Sequence, residues 1–375
     1  MKYPTGQVSI PSLVDLHVHF REPGFSYKET ILTGSCAAAA SGYSDVFTMP
    51  NLSPVPDSVD NLRVQTDIIR RDAKIGVHPY GAITKGQKGE GELVDIESMH
   101  TLVAGFSDDG RGIQDKALMR EAMCRCKEVG SMLVEHCEVE RLVMGGVIHE
   151  GAYAREHGYK GISSESEWRE VERNIDLVAD TGCRLHLCHI STHESVALIR
   201  EAKKSRLPIT AETAPHYLLL TDSDIHEDGA WKMNPPLRTA ADRDALIEAL
   251  GDGTIDCVAT DHAPHTAEEK SRGLEYSAFG IVGLETAFPL LYTYLVKKGL
   301  LSWDALIDAM SARPRAIMGL NEEGCLATFD LDTTYTIDPS SFRSKGHATP
   351  FAGWEVCGRC ISNQYQGRTV FTLEQ

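Results

Sequence analysis

Short apolar runs alternate with longer amphipathic segments along most of this chain, and this alternation limits the fold more than any other feature. The runs are rich in Val, Ile and Leu and are too continuous for a half-solvated sheet, so they predict buried parallel strands. Eight of them occur, at residues 13–20, 45–51, 77–83, 102–110, 132–138, 184–191, 209–217 and 256–264. Amphipathic segments between them predict helices, for example at 28–41, 116–129, 165–181 and 194–204.

Eight strands in alternation with helices favour an α/β fold built as a closed (β/α)8 TIM barrel. A doubly wound open sheet is the alternative, but the Gly-rich phosphate turn that usually follows its first strand is missing from the sequence. After a last helical stretch at 304–320, the tail becomes rich in Thr, Val, Tyr and Gly, with alternating patterns. We therefore predict a barrel over residues 13–320 and a small, reduced β-rich appendage made from residues 1–12 and 321–375.

Charge and composition narrow the class of function. The chain has 375 residues, with 37 Lys+Arg against 54 Asp+Glu, and its formal net charge of −17 disfavours binding to nucleic acid or an anionic membrane. The N-terminal residues do not read as an export signal, and the apolar runs are far shorter than the roughly 20 residues of a membrane span. The ten cysteines, Cys357 and Cys360 of the C-x-x-C included, are then expected to be reduced thiols in a cytoplasmic protein.

Histidines and carboxylates stand at the ends of the predicted strands. His17 and His19 alternate along the first strand, so their side chains share a face. The matching residues at the ends of later runs are Asp108, Asp109, His136, His189, Asp261 and His262. Barrel enzymes collect their functional side chains from such strand ends, and imidazole with carboxylate suits divalent metals. The number of ligands favours a two-metal site with zinc as the first choice, and manganese and cobalt are compatible with the same spacing.

Longer motifs carry a resemblance to a known family. They lie at 15–24 (DLHVHFREPG), 49–51 (MPN), 106–110 (FSDDG), 136–138 (HCE), 188–191 (CHIS), 233–238 (MNPPLR), 260–265 (TDHAPH) and 279–283 (FGIVG). In this order, and over about residues 14–353, they resemble the amidohydrolase superfamily and within it the bacterial-type (type I) dihydroorotases. The resemblance implies a TIM barrel that acts as a metal-dependent cyclic amide hydrolase.

The resemblance also implies two zinc ions and their ligands. The ligands are His17, His19 and Asp261 for one ion, and His136 and His189 for the other. Many relatives bridge their metals with a carboxylated lysine, but the runs 102–110 and 132–138 contain no lysine. Asp109, together with a hydroxide, is therefore expected as the bridge, as in bacterial type I dihydroorotases. Asp108 is expected to support the turn, and His262 to pack or to orient Asp261.

Substrate contacts follow from the same resemblance. Arg21 leaves the first strand beside the metals, and a guanidinium can bind a planar carboxylate through two hydrogen bonds. Related hydrolases of allantoin and hydantoins do not generally carry this arginine in the same motif, and their substrates lack the ring carboxylate. Arg21 therefore favours dihydroorotate. The other implied contacts are Asn51 and His265 at the carboxylate, Asn234 and the backbone of Phe279 and Gly280 at the ring amide, and His19.

The implied reaction is the reversible interconversion of L-dihydroorotate and N-carbamoyl-L-aspartate in de novo pyrimidine (UMP) biosynthesis, with Asp261 moving the proton. The alternatives are an allantoinase- or dihydropyrimidinase-like hydrolase and an inactive scaffold of aspartate transcarbamoylase. Only 16 residues precede His17, fewer than in family members, so a homodimer or a transcarbamoylase partner is expected to cover apolar surface. The segment 217–238 is expected to close over the substrate.

Overall fold

The computed structural model describes residues 3–374 of the chain, and strands and helices alternate in it as the sequence predicts. Most strands are short. They are β1 (Gln7–Pro11), β2 (Leu13–Val18), β3 (Tyr43–Thr48), β4 (Gly76–Pro79), β5 (Met132–Glu135), β6 (Ile148–His149), β7 (Gly161–Ile162), β8 (Arg184–Leu187), β9 (Ile209–Thr213), β10 (Cys257–Val258), β11 (Leu326–Asp330), β12 (Tyr335–Thr336), β13 (Glu355–Val356), β14 (Arg359–Tyr365) and β15 (Arg368–Thr372).

Helices occupy most of the connections. They are α1 (Ile31–Ala40), α2 (Val59–Asp72), α3 (Ile96–Met99), α4 (Lys116–Glu128), α5 (Glu140–Val143), α6 (Ala152–His157), α7 (Glu165–Thr181), α8 (His193–Lys204), α9 (Pro215–Leu219), α10 (Ala240–Asp252), α11 (Ala267–Lys270), α12 (Gly273–Tyr276), α13 (Ala287–Leu291), α14 (Trp303–Ile307) and α15 (Arg313–Met318). The helix predicted over 304–320 consists of α14 and α15, joined by a π-helical turn at Asp308–Ala312. Within residues 3–374, no helix is long and apolar enough to cross a membrane.

Parallel pairing joins the predicted strands in chain order. One sheet contains β2, β3 and β4, and a second contains β5, β8, β9 and β10. Phe106 links the two sheets through single parallel bridges to Gly81 and Leu133, and His262 forms a parallel bridge with Val18 of β2. Every residue of β2 and β3 is buried, as in strands that are covered on both faces. The fold is α/β, and the carboxyl ends of its parallel strands point the same way.

All eight apolar runs extend beyond the strand or bridge that they contain, and in three of them the reason is local. The run 102–110 contributes only the bridge at Phe106, because the residues before it form turns. The run 209–217 stops being a strand at Thr213, and Pro215 begins α9, since proline suits the first helical turn. In the run 256–264 the strand covers two residues, and Asp261 then takes a φ of 47°, which ends the extended backbone.

Helix ends follow capping chemistry more closely than the apolar pattern. Helix α1 begins three residues later than predicted, because Thr30 caps it through a reciprocal capping box with Thr33. Helix α7 has the predicted bounds and ends where Gly182 adopts a φ of 68°, a conformation that glycine takes without strain. Helix α8 begins at His193, one residue before its predicted start.

Both ends of the described chain contribute to one antiparallel sheet, in the order β1–β11–β14–β15. Asn363 ties this sheet to the parallel strands. Its Nδ2 donates to the carbonyl oxygens of Ala39 (3.0 Å) and Tyr43 (2.8 Å), and its Oδ1 accepts from the hydroxyl of Ser12 (2.9 Å). Strand β14, which carries Asn363, thereby packs against β3, although the two are far apart in sequence. All ten cysteines are free, as expected.

Candidate metal centre and substrate cleft

Five of the six predicted metal ligands lie at or just beyond the carboxyl ends of parallel strands. They are His17 in β2, His19 directly after it, His136 after β5, His189 after β8 and Asp261 after β10. Because parallel strands end at one side, these side chains converge. His19 Nε2 lies 3.1 Å from Asp261 Oδ1, and His17 Nε2 lies 3.6 Å from the same oxygen.

Asp109 is the sixth predicted ligand and lies between the histidines. Its carboxylate oxygens are 3.5 Å from His17 Nε2, 3.7 Å from His19 Nε2, 3.7 Å from His136 Nδ1 and 3.9 Å from His189 Nε2. The adjacent Asp108 points into the loop 83–89 instead, where it accepts backbone N–H bonds. His262 also points away, toward Glu29, at 3.4 Å. Of the two adjacent aspartates, Asp109 is the one that reaches the histidines.

The donor atoms of these six residues fit a divalent metal. His136 Nδ1 and His189 Nε2 face each other at 3.0 Å, and His17 Nε2 is buried without a hydrogen-bond partner among the described residues. Ligand atoms on a tetrahedral zinc, each about 2.0–2.1 Å from the ion, lie roughly 3.3 Å from one another. The distances given above between the imidazole nitrogens and carboxylate oxygens of the six residues are close to that value. A buried imidazole nitrogen without a partner is costly, and a metal ion would satisfy it.

The charges of the group favour a cation. Burial alone would lower the pKa of His17, but the surrounding Asp109, Glu212 and Asp261 raise it to about 10. Burial alone would raise the pKa of Asp261, but the hydrogen bond with His19 and the positive charge of His17 lower that pKa below its usual range. Both pKa shifts mean that positive charge is stabilised between His17 and Asp261, and a divalent metal would supply this charge.

Glu212 of β9 lies behind the candidate metal centre and supports His17. Its Oε1 accepts a hydrogen bond from His17 Nδ1 at 3.0 Å, and its Oε2 lies 3.0 Å from His186 Nε2. The bond at Nδ1 leaves Nε2 of His17 as the atom that faces Asp109 and Asp261. A carboxylate behind a metal-binding histidine fixes its tautomer and raises its basicity. Glu212 had no predicted role, although an acidic residue inside an apolar run is a usable signal.

Three site residues have backbone conformations that residues other than glycine rarely adopt. The φ angle is 59° at Arg21, 33° at His189 and 47° at Asp261. Asp15 holds the turn before Asp261, because its carboxylate accepts hydrogen bonds from the backbone N–H (3.1 Å) and the hydroxyl (2.6 Å) of Thr260. Strained residues of this kind persist only where their surroundings fix them, and they cluster at functional sites.

A cleft of about 270 Å³ opens onto the predicted metal ligands. Its lining residues are His19, Arg21, Asp109, Gly110, His136, His189, Asn234, Asp261, Ala263, His265, Phe279 and Gly280. All the predicted substrate contacts except Asn51 are in this lining. Asn51 lies behind it, where its Nδ2 donates to the carbonyl oxygen of Asp109 at 2.8 Å. Asn51 therefore fixes the loop that carries the central carboxylate.

Arg21 and His265 form one side of the cleft. Arg21 donates through Nε to the carbonyl oxygen of Pro264 at 3.3 Å, and its Nη2 lies 3.4 Å from His265 Nε2. His265 Nε2 donates to the carbonyl oxygen of Phe279 at 2.8 Å. Burial and the positive charges of Arg21 and Lys28 lower the pKa of His265 to about 3, so its ring is neutral near pH 7. Among the described residues Arg21 forms no ion pair, so its guanidinium is free to bind an anionic group.

Asn234 reaches the cleft from the segment 217–238. Its Nδ2 donates to Glu138 Oε2 at 2.8 Å and lies 3.4 Å from His136 Nε2, while Glu138 Oε2 lies 3.8 Å from that same nitrogen. Glu138 therefore orients both a predicted ligand and a predicted substrate contact. It stands in the HCE motif, but the motif alone gave it no role. Closure of the segment 217–238 stays a prediction.

Gly280 forms part of the rim, and its position requires glycine. Its φ is 126°, and a Cβ there would lie 2.8 Å from the Cβ and the carbonyl oxygen of Ala263. Its N–H donates to the carbonyl oxygen of Lys232 at 3.0 Å, and its carbonyl oxygen accepts from Lys270 Nζ at 2.7 Å. The N–H of Gly280 is therefore engaged, and a further donor would have to use the second lone pair of its carbonyl oxygen. Lys270 also donates to the carbonyl oxygen of Ala278, at 2.7 Å, and so holds this rim together.

Comparison with known proteins agrees with this geometry. A family model described as dihydro-orotase-like matches residues 6–195. A dihydroorotase from Bacillus caldolyticus is 49% identical over 361 residues, which cover 94% of this chain and 84% of that protein. The chain belongs to the dihydroorotase-like family. Within this family, a dihydroorotase from Fusobacterium nucleatum is 48% identical over 96% of this chain and 86% of its own length.

Among solved structures, hydantoinases have a fold similar to that of this dihydroorotase-like chain. An L-hydantoinase (dihydropyrimidinase) from Arthrobacter aurescens superposes with a TM-score of 0.87 at 25% identity, covering 98% of this chain and 86% of that one. An inactive dihydroorotase-like domain of a Chaetomium thermophilum CAD-like multifunctional protein gives 0.70 at 18% identity, covering 97% and 94%. These likenesses show a shared α/β fold, while the family itself rests on the sequence matches.

Proposed function

We propose that the protein is a dihydroorotase that interconverts L-dihydroorotate and N-carbamoyl-L-aspartate, a reaction of de novo pyrimidine synthesis. The observation that carries the proposal is the Arg21 guanidinium, which lines the same cleft as the metal-binding side chains and forms no ion pair among the described residues. Relatives named dihydroorotase, 46–49% identical, support the same substrate. An allantoinase- or dihydropyrimidinase-like substrate would leave Arg21 without an anionic partner, because such rings carry no carboxylate.

The proposed scaffold is a closed (β/α)8 barrel over residues 13–320, with a small β-rich appendage from residues 1–12 and 321–375. The parallel bridge between Val18 and His262 supports closure, because it joins the region of the last strand to the first strand. The antiparallel sheet that contains β1 and β11 supports an appendage drawn from both ends of the chain.

The proposed cofactor is a pair of zinc ions. The ligands would be His17, His19 and Asp261 for one ion and His136 and His189 for the other, with Asp109 shared between them. The position of Asp109, within 3.9 Å of all four histidines, supports the shared role. Bound zinc would polarise the ring carbonyl and make a water molecule acidic enough to give hydroxide near neutral pH.

In the proposed reaction Asp261 moves the proton. The oxygen of water bonds to the ring carbonyl carbon, and Asp261 accepts the proton that this oxygen releases. The ring C–N bond then breaks, and Asp261 returns the proton to the departing nitrogen, which completes N-carbamoyl-L-aspartate. The low pKa of Asp261 keeps its carboxylate ionised before the attack, and His19, 3.1 Å from Oδ1, holds it in place.

Substrate binding is assigned to opposite sides of the cleft. Arg21 and His265 would hold the ring carboxylate, and Asn51 would support that side through the loop of Asp109. Asn234 and the backbone of Phe279 and Gly280 would hold the ring amide, with His19 near the reacting carbonyl. The two cleft walls then fix the ring so that its carbonyl faces the metal-binding side chains.

The decisive experiment is hydrolysis by purified, zinc-loaded protein, compared across dihydroorotate, allantoin, hydantoin and dihydrouracil. We expect turnover of dihydroorotate alone. Turnover only of the uncharged rings would contradict the role of Arg21. Bound zinc without turnover of any ring would favour the scaffold alternative, which the six filled ligand positions argue against. A homodimer, an association with aspartate transcarbamoylase and a cytoplasmic location stay predictions from the sequence.

A further inference from the structure

Lys28 lies behind His265, on the side of its ring that faces away from Arg21. Lys28 Nζ is 3.3 Å from His265 Nδ1 and 2.7 Å from Glu269 Oε1. The ammonium also lies 5.9 Å from the ring centre of Phe25, within the range of a cation–π interaction. Only 15% of the Lys28 side chain is exposed, so this contact is part of a packed wall.

The contact with Lys28 determines which nitrogen of His265 carries the proton. An ammonium group can only donate, so Nδ1 must accept from Lys28. Nε2 has a donor near it as well, Arg21 Nη2 at 3.4 Å, but the carbonyl oxygen of Phe279 is closer, at 2.8 Å, and can only accept, so Nε2 carries the hydrogen. The competing acceptor near Nδ1 is Glu269 Oε2, at 3.4 Å, but this oxygen already accepts from both the backbone N–H (3.0 Å) and the hydroxyl (3.2 Å) of Thr266. His265 is thereby held neutral, with its one N–H next to Arg21.

The arrangement also concentrates positive charge on one wall of the cleft. Arg21 and Lys28 lie on the two sides of the His265 ring, and Glu269 pairs with Lys28 at the outer edge. A carboxylate that binds Arg21 would lie beside the Nε2–H of His265 and share this donor with the carbonyl oxygen of Phe279, with the charge of Lys28 behind the ring. A ring without a carboxylate gains nothing from this wall, because its neutral edge has no charge to offer.

We propose that Lys28 is a positioning and specificity residue for the ring carboxylate, which acts by holding His265 in the tautomer that donates from Nε2 and by adding a second positive charge behind it. The inference rests on the proposed function. The alternative is a purely structural role, in which Lys28 serves only as the ion-pair partner of Glu269.

The test measures competition with dihydroorotate by two pyrimidine rings that differ by one carboxylate, orotate and uracil. In zinc-loaded Lys28→Met we expect the inhibition constant of orotate and the KM of dihydroorotate to rise about 5- to 20-fold. The inhibition constant of uracil and the kcat should stay within about threefold of wild type. Lys28→Arg keeps the charge and the donor, and should restore orotate binding to within about threefold.

Two further variants separate the effect of the Lys28 contact with His265 from the loss of an ion pair and from the loss of one positive charge. Glu269→Gln removes the ion pair but leaves the donor to His265, and its side-chain oxygen can still accept from Thr266. Orotate should therefore bind Glu269→Gln at least as tightly as wild type. Lys204→Met on α8, where Lys204 forms an exposed pair with Glu201, is the control for loss of one positive charge. It should change neither inhibition constant.

Different results would refute the proposed function and the role of Lys28. A wild-type protein that neither turns over dihydroorotate nor binds orotate refutes the proposed function, and with it the role of Lys28. With an active wild type, unchanged orotate binding in Lys28→Met refutes the inference alone. The inference alone is also refuted if the binding of orotate and of uracil weakens equally in Lys28→Met, or if Glu269→Gln weakens the binding of orotate as much as Lys28→Met does. If Lys28→Met does not fold, the Lys28→Arg and Glu269→Gln results decide.

Discussion

Replacing Glu212 by glutamine removes one negative charge from behind the proposed metal centre while keeping the size of the side chain. Glu212 is fully buried, and its Oε1 accepts from His17 Nδ1 at 3.0 Å. Glutamine keeps an oxygen for this bond and turns an NH2 group toward His186 Nε2. His186 can adapt, because its Nδ1 faces the hydroxyl of Thr210, which donates or accepts. We therefore expect Glu212→Gln to fold and to bind zinc more weakly.

The magnitude follows from the bond that is weakened. A hydrogen bond to a charged group contributes about 1.5–3 kcal/mol, and about 1.4 kcal/mol corresponds to a tenfold change in affinity. The loss of the charge on Glu212 should thus weaken zinc binding by roughly 10- to 100-fold. Replacing a carboxylate behind a metal-binding histidine has effects of about the same size in other proteins, 10- to 100-fold.

The assay is a zinc titration of chelator-stripped protein against a competing coloured chelator, followed by activity at limiting and at excess zinc. Activity of Glu212→Gln should be low at limiting zinc and should largely recover at excess zinc. Asp45→Asn is the matched control, because Asp45 Oδ1 lies 2.9 Å from His78 Nε2 near the opposite end of the parallel strands. Wild-type zinc affinity in Glu212→Gln would refute the reasoning, as would an equal loss in Asp45→Asn.

Three further predictions test the proposed site. Asp261→Asn should lower kcat for dihydroorotate by about 10²- to 10⁴-fold while most zinc, measured by elemental analysis, stays bound; near-normal turnover would exclude the proton role. Arg21→Met should raise KM for dihydroorotate on the order of 10- to 100-fold, from the loss of charge-assisted hydrogen bonds, and an unchanged KM would exclude carboxylate binding. Burial alone would raise the pKa of Glu212, but His17 and His186 lower this pKa from 4.5 to about 2. The charge of Glu212 therefore stabilises the fold fully above pH 4.5, and this contribution is lost as the pH falls through 2. In metal-free protein, the difference in urea midpoint between wild type and Glu212→Gln should therefore shrink from pH 7 to pH 2, and a constant difference would contradict the assignment.

The convergence of these histidines and carboxylates was predictable from the sequence because their positions depend on local pattern. His17 and His19 share a face through the alternation of a strand, and His136, His189 and Asp261 each follow an apolar run whose end could be located. Parallel pairing then brings these ends together whatever the lengths of the strands. The early end of β10 and the single bridge at Phe106 therefore did not disturb the convergence.

Residues whose roles depend on distant parts of the chain were not predictable in the same way. Lys28 meets His265 across 237 positions, and Glu212 meets His17 across 195. Neither pair has a spacing that a periodic pattern could reveal, because each partner comes from a different strand or loop. Helix α9 shows the local counterpart of this limit, since Pro215 ends an apolar run that hydropathy alone would continue to Tyr217.

The antiparallel sheet makes the order of synthesis matter for folding. Strand β1 pairs with β11, and the hydroxyls of Ser9 and Thr328 meet across 319 positions. At about 5–20 residues per second, a ribosome needs roughly 15–65 s to make the intervening chain. During this time β1 has no partner strand, and Asn363, which ties Ser12 to Tyr43, is made later still. The nascent chain therefore exposes an unpaired strand edge until β11 has been made, and this interval is when it most needs protection from aggregation.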